Sequence, residues 1–477
     1  MNGSECAGCR ERDAIIAQLR MQIAQLEQRL QEQEQRLREL EARLKTNSSN
    51  SSLPPSANPP SAPKPPAKPP TGRKPGGQPG HPGHSRTRLP PERVNQVIPH
   101  VPTLCEHCQA PLPQEPSAQD PPPTWHQVIE LPEVIATVTE HQGHARTCLL
   151  CGHVTRALIP GEVLAHGFGP KLTASLALLS GRCHDSKRTV EEVAQTLLDA
   201  PISLGSISNA EQEMSAALQQ PYAQAQRVVQ EAAVKNVDET GWSLAGKLCW
   251  MWLAATAGVA FFKICRSRSR ESLKLLLGQK VRGIIGSDRF SAYSFMALAL
   301  RQICWAHLKR DFQKWVDYGG KAATVGRGGL KVVDEVFALW KKCKQGELDR
   351  AGLQAALAPV MICLHEVLEG GLSCPPRKLA KFCLNVLDVY PALWTFVRVE
   401  GVEPTNNLAE RMLRAGVIWR KISFGNHSEG GCRFVERVLT TVETLRLQKR
   451  QVLAYLTEAI IAHRAGQPAP SLLLRGA

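Results

Sequence analysis

Three carboxylates stand where a chain could hold a divalent metal. Asp238 lies in "VKNVDETGW", at the mouth of an apolar run that reads as a buried strand. Asp288 lies in "VRGIIGSDRFSAY", directly after a short run containing Ile284 and Ile285. Glu410 lies in "EPTNNLAERMLRAGVIWRKISFG", which has helical spacing. At ~100° per residue, Glu410, Arg414, Val417 and Lys421 share a sector of roughly 60°. One acid and two bases on one helix face suit a site that holds metal and phosphate together. Each acid alone also has a structural reading. Asp238 can end a strand in a turn, Asp288 can cap a helix starting near Ser291, and Asn407 with Glu410 makes a passable capping box. Taken together, in this order and on these elements, they point to a metal site.

The elements that must position them are legible as runs. "VKNVDET", "KLCWMWLAA" and "VAFFKIC" are three short apolar runs, with a turn near Thr256 and Gly258. A helix at 271–277 and a fourth strand at 284–285 follow. Three antiparallel strands, a helix, then a strand beside the first is the outline of a ribonuclease-H-like α/β fold. "RQICWAHLKRDF" continues it as strand then helix, where Cys304 and His307 alone are too few for a metal site and His307 is either a core residue or a substrate contact. Amphipathic helices at about 328–398, broken at Pro375 and Pro376, form an insertion that separates the third acid from the other two.

The N-terminal third reads differently. Ile16, Leu19, Ile23, Leu26, Leu30, Leu37, Leu40 and Leu44 make a heptad stripe, with polar Gln33 in the seam. This predicts a coiled coil and homo-oligomerisation through it; the pair Cys6 and Cys9 before it is weak evidence for a shared metal. Residues 46–92 are rich in Pro, Gly and Ser, which predicts a disordered or polyproline-like linker. Its Lys64, Lys68, Arg73, Lys74, Arg86 and Arg88 carry much of the net charge of +15 on 477 residues. That local excess favours a phosphate-tracking arm on nucleic acid. "CEHC" at 105–108 and "CLLC" at 148–151 give four thiolates, Cys105, Cys108, Cys148 and Cys151, the ligand set of a structural zinc ribbon, with a strand pair expected at 128–131 and 134–139. Residues 161–233 read as helices, with a possible helix-turn-helix in which Ser203 or Ser206 caps the second helix. The division is then 1–45, 46–92, 93–160, 161–233, 234–440 and 441–477. Fifteen mostly lone cysteines exclude a secreted disulfide framework. With no signal-peptide pattern and no apolar run of ~20 residues, the expected place is the cytoplasm, with no membrane partner.

These residues converge on a known family. The order of zipper, "NSSNSSLPPS", "GGQPGHPGH", four cysteines, "DET", "SDRFSAY", "CWAHLKRDF" and "NNLAERMLR" resembles bacterial DDE-class transposases, in particular the large transposase of the insertion sequence 66 family. The resemblance implies that Asp238, Asp288 and Glu410 are a catalytic triad binding two Mg2+ (or Mn2+), with Glu239 a lesser candidate that should face the other side of the sheet. It implies cleavage at element ends and strand transfer on DNA, with terminal inverted repeats and target DNA as partners and accessory proteins of the same element as possible ones. Arg414 and Lys421 would neutralise phosphate, and Arg73, Lys74, Arg86 and Arg88 would hold DNA. Arg289 and Phe290 depart from the family pattern, where a small residue and Tyr are expected. A catalytically silent DNA-binding regulator and a ribonuclease-H-like nuclease are the alternatives.

Overall fold

The computed structural model describes residues 7–48, 50–51, 88–115, 117–118, 120–131 and 136–473. Arg73, Lys74 and Arg86 lie outside the described residues, as does Cys6. The chain forms two compact units, Met1–Ala62 with Val138–Ala477, and Pro63–Thr137.

The smaller unit has little regular structure. Its described part holds a 3-10 turn, Pro91–Arg93, and a bridge between Leu104 and Pro111 around the first cysteine pair. Residues 128–131 form no strand, and 132–135 fall outside the described residues. The expected strand pair is therefore displaced. In the larger unit the hairpin is β1 (Ala145–Thr147) with β2 (Val154–Arg156), and it brackets the second cysteine pair. Among the described residues of this stretch Val128 is 81% and Val138 87% exposed, so their side chains gain no burial that would reward pairing.

The larger unit is α/β with a helical majority. Helix α1 (Ala7–Leu44) presents its apolar seam to solvent, Ile16 to Leu44 being 46–79% exposed. Residues 46–48 and 50–51, expected to belong to a disordered linker, instead close the helix in an ordered turn. Asn50 Oδ1 accepts from the Asn47 N–H at 2.8 Å, and Asn50 Nδ2 donates to Lys45 O at 3.0 Å. After β2 come α2 (Gly161–Leu164), α3 (Pro170–Gly181), α4 (Lys187–Leu198), α5 (Leu204–Ala217) and α6 (Gln219–Glu231). Ser203 caps α5 by accepting from the Ser206 N–H at 3.2 Å. Ile207, Ala210 and Met214 of α5 are buried, so this helix is part of a packed layer.

A mixed sheet follows, built from β3 (Val234–Leu244), β4 (Lys247–Ala255), β5 (Ala260–Cys265), β6 (Ile284–Ser287) and β7 (Arg301–Ile303). Its order is β5-β4-β3-β6-β7. The first three strands are antiparallel, and β6 and β7 run parallel to β3. The crossover from β5 to β6 carries α7 (Arg270–Leu277). After β7 comes α8 (Trp305–Tyr318), then the insertion, which starts at Gly320: α9 (Gly320–Lys344), α10 (Arg350–Leu372), α11 (Arg377–Leu387), α12 (Tyr390–Leu393) and α13 (Thr395–Arg398). The insertion builds its own core with β7 and α8. Among the described residues α10 alone is long and apolar enough to cross a membrane, yet its Leu353, Leu357, Val360, Leu364 and Leu368 are buried in that core.

Three helices complete the chain: α14 (Asn407–Ser423), α15 (Glu429–Leu447) and α16 (Val452–Arg464). The edge strand β5 would leave a row of N–H groups open to pairing with another chain. Helix α15 closes that row with side chains one turn apart. Ile264 N donates to Glu436 Oε1 at 2.7 Å, Phe262 N to Thr440 Oγ1 at 3.0 Å, and Ala260 N to Thr444 Oγ1 at 3.1 Å. A strand repeats every two residues on one edge and a helix about every four, so the two ladders match over three rungs. Thr440 is fully buried. Thr440→Val keeps the shape and removes the acceptor, leaving the Phe262 N–H unsatisfied. We expect a loss of about 1–3 kcal/mol in denaturant unfolding, and a smaller loss for Thr440→Ser, which keeps the hydroxyl. Equal losses for the two variants would show that the rung contributes nothing.

Candidate active site

The parallel pairing of β3 with β6 sets two of the acids side by side. Val234 lies opposite Ile284 and Asn236 opposite Gly286. The same register puts Asp238 level with Asp288, immediately past the end of β6. The third acid comes from α14, which packs against β3 and β4. That approach requires Gly416, since a Cβ there would lie 2.2 Å from Met251 Sδ.

Asn406, just before α14, fixes the junction. Its Nδ2 donates to Val237 O at 2.8 Å and its Oδ1 accepts from Asn236 Nδ2 at 2.9 Å. Its backbone N–H donates to Cys304 Sγ at 3.2 Å, and its carbonyl accepts from the Glu410 N–H at 3.1 Å. The expected Asn407–Glu410 capping box does not form: Asn406 occupies the cap position, and its side chain goes to the strand. Glu410 is thereby left with no capping duty. Asp288 keeps a local one, since its Oδ1 accepts from the Phe290 N–H at 2.9 Å.

Asp238 feels its neighbours. Burial, and after it the carboxylates of Glu239, Asp288 and Glu410, hold the Asp238 carboxyl well above the usual range, against one opposing hydrogen bond from the Glu239 N–H. Glu239 faces the other side of the sheet and is engaged there. Arg268 Nε donates to its Oε1 at 2.8 Å and Tyr293 OH to its Oε2 at 3.1 Å. The Arg268 guanidinium also stacks 3.7 Å from the Phe290 ring centroid. Asp288 raises Glu239 as well, but both oxygens of Glu239 are occupied. Glu410 adds to the shift of Asp238 and is not among the causes of the shift of Glu239, which leaves Asp238 as the better-placed acid of the pair.

Beside them lies a cleft of about 240 Å³ lined by Asp288, Arg289, Phe290, His307, Arg310 and Asp311. Its cations are Arg289, paired with Asp311, and Arg310, whose Nη2 lies 3.9 Å from Glu410 Oε1. His307 Nδ1 is 3.6 Å from the same oxygen. Burial and Arg310 lower the His307 pKa, so the ring is neutral near neutral pH. Cys304 is buried, and burial pushes its thiol up to about 11. Arg414 and Lys421 lie exposed on α14 and are not among the cleft's lining residues. His307, Arg310 and Asp311 were detectable in principle: "HLKRD" places them three and four residues apart, on one helix face.

The cysteine pairs each form a tight turn. Gln109 N donates to Cys105 O and Gly152 N to Cys148 O, both at 2.9 Å. In each turn the N–H groups aimed at the first sulfur lower its pKa, that of Cys108 being the largest cause for Cys105 and that of Cys151 for Cys148. Donors so placed favour thiolate, the ligand form. Arg88, the described residue of the basic arm, stacks 5.6 Å from the Trp125 ring centroid.

A raised carboxyl has a measurable consequence. Its folded pKa exceeds its unfolded value, so its contribution to stability is complete below the unfolded value and is lost as pH rises through the folded one. Near neutral pH Asp238 therefore destabilises the metal-free protein. Asp238→Asn should raise the melting temperature there by ~2–4 °C for each kcal/mol relieved, and the gain should vanish near pH ~4. A variant that melts no higher than the parent at neutral pH would contradict this.

Three findings come from comparison with known proteins. A family described as "Transposase IS66 family" matches residues 167–433, from the helical layer to the start of α15. A family of unknown function matches residues 7–87. An uncharacterized protein of Sinorhizobium fredii, y4qI, is 26% identical over 207 residues, which is 40% of this chain and 38% of that protein. The chain thus matches well under two thirds of that relative's length. The family match covers more than half of the chain, and the chain belongs to the IS66 family of transposases.

Proposed function

We propose that the protein is a DNA transposase that cuts the ends of its insertion sequence and joins them to target DNA by metal-dependent phosphodiester chemistry. The observation that supports this most is the effect of Asp288 and Glu410 on the buried Asp238, which brings acids from β3, from the end of the adjacent parallel strand β6 and from one packed helix into one region. The strand order, with Asp238 inside β3 and Asp288 just past the end of β6, is compatible with a ribonuclease-H-like fold, although β3 runs on through Leu244 and does not stop at the acid as its apolar run suggested.

The acids fit a divalent cation. Asp238 is crowded by like charge, and Glu410 Oε1 is buried without a hydrogen-bond partner among the described residues. Both features suit a carboxylate set built to hold a counter-charge. Asp238, Asp288 and Glu410 would hold Mg2+ or Mn2+, which supply Lewis acidity for in-line attack at phosphorus. The protein's own groups do the rest. Asn406 keeps β3 and α14 at a fixed spacing. Arg289 and Arg310 bring positive charge to the cleft wall, where a phosphodiester would lie. The neutral His307 offers a ring nitrogen to a water or a phosphate oxygen.

The other parts would bring DNA to this site. Arg73, Lys74, Arg86 and Arg88 form a basic arm on the phosphate backbone, which makes binding fall steeply with salt. Arg414 and Lys421 extend the positive surface along α14. The spacing of Cys105, Cys108, Cys148 and Cys151 in the sequence suits structural zinc. The exposed seam of α1 pairs with a second copy, so that two DNA ends are held together. The protein acts in the cytoplasm, where DNA is its main partner.

The test is full-length protein with Mg2+ and a duplex carrying the element's terminal inverted repeats. Strand scission and joined products are expected. Asp288→Asn and Glu410→Gln should lower both by on the order of 10²–10³-fold while DNA binding persists. Binding without cleavage by the parent would favour a silent regulator of transposition. Cleavage without regard to the repeats would favour a nuclease.

A further inference from the structure

Helix α8 begins with two donors of a different kind from the acids. Cys304 is its cap residue and His307 stands one turn on. One ligand atom from each of Cys304, His307 and Glu410 lies within 4.8 Å of the others. His307 Nδ1 and Glu410 Oε1 are both buried and both lack a hydrogen-bond partner among the described residues, though only 3.6 Å separates them. Two orphaned polar atoms facing each other in a buried spot need an explanation. A hydrogen bond between them would need a shorter approach. A cation seated between them explains the gap.

The third donor is prepared for the same role. The N–H groups of Ala306, His307 and Asn406 are directed at Cys304 Sγ. Three donors at a helix start stabilise a thiolate once a counter-charge arrives. Sulfur, imidazole nitrogen and one carboxylate oxygen together select a borderline cation such as Zn2+ and disfavour Mg2+. A fourth position is available from the side of the cleft, which His307 helps to line. Arg310, 3.9 Å from Glu410, opposes the cation and would have to swing away.

We propose that Cys304, His307 and Glu410 form a Zn2+ site that shares Glu410 with the proposed magnesium site. Zinc here would withdraw Glu410 from the other two acids and inhibit cleavage. The inhibitory consequence rests on the catalytic reading of Glu410; the binding does not.

The test reads metal content first. Full-length protein is saturated with Zn2+, freed of excess by gel filtration and assayed for zinc per chain. Cys304→Ser and His307→Gln should each hold one zinc fewer than the parent. A full chain with Cys105, Cys108, Cys148 and Cys151 changed to Ser should still hold this zinc, and lose it when Cys304→Ser is added. With Co2+ that four-serine chain should show one thiolate-to-cobalt charge-transfer band, an arm that does not depend on the folding of the Cys304 variant. Equal zinc in parent and variants, or no such band, overturns the site. The activity arm is Mg2+-dependent cleavage with added Zn2+. Inhibition of the parent is expected, and undiminished cleavage at full zinc occupancy would overturn the shared role of Glu410 while the metal count still reports on binding.

Discussion

The junction made by Asn406 is the constraint on which the rest of the site depends. One buried residue bonds to β3 through Val237 and Asn236, to the start of α8 through Cys304, and to the first turn of α14 through Glu410. These are three elements far apart in sequence. A side-chain amide suits the task because it donates and accepts at once, in one plane. Leaving any of these buried groups unpaired would cost about 1–3 kcal/mol, so the clasp holds the relative position of strand and helix more firmly than apolar packing alone would. It also frees Glu410 by taking the cap position next to it.

The position so fixed is electrostatically unfavourable. Burial, and then the nearby carboxylates of Glu239, Asp288 and Glu410, raise the Asp238 carboxyl, and among the described residues no cation pairs with Asp238 itself. The contrast with its neighbour is instructive. Glu239 is also a buried acid and is also raised, by burial and by Asp288, yet Arg268 and Tyr293 engage both its oxygens and oppose that shift. The same two-residue segment thus carries one acid that the protein neutralises and one that it leaves for something else. Alternation along β3 separates the two roles, because adjacent residues face opposite sides of a sheet.

Much of this was legible in the sequence, and the rest was not, for physical reasons. Acids at the ends of apolar runs revealed Asp238 and Asp288, since strand period and turn residues are local signals. Helical spacing revealed that Glu410 lies on a helix. The role of Asn406 was hidden because its partners, Asn236 and Val237, lie about a hundred and seventy residues away; a local reading finds only the neighbouring Asn407 and a capping box. The pairing of Arg268 with Glu239 was hidden for the same reason. At 128–139 the error ran the other way. The segments are rich in β-branched and apolar residues, but such residues form a strand where a face can be buried, and among the described residues Val128, Ile129, Leu131 and Val138 are exposed. The start of the linker failed likewise: 46–51 look disordered by composition, yet Asn47 and Asn50 bond the backbone and are buried.

The long insertion between the second and third acids is compatible with so exact a junction because it carries its own core. Helices α9 to α13 bury their apolar faces on one another and on α8 and β7, so that the chain returns to α14 from a rigid body. Two contacts anchor that return. Trp305 N donates to Pro404 O at 2.9 Å, and Gln302 Oε1 accepts from the Phe396 N–H at 2.7 Å. A flexible loop of the same length would add only a slowly growing closure cost, but it would not hold Glu410 in place. The insertion therefore acts as a spacer of fixed length, and changes on its outer faces can alter what it touches without moving the acids it separates.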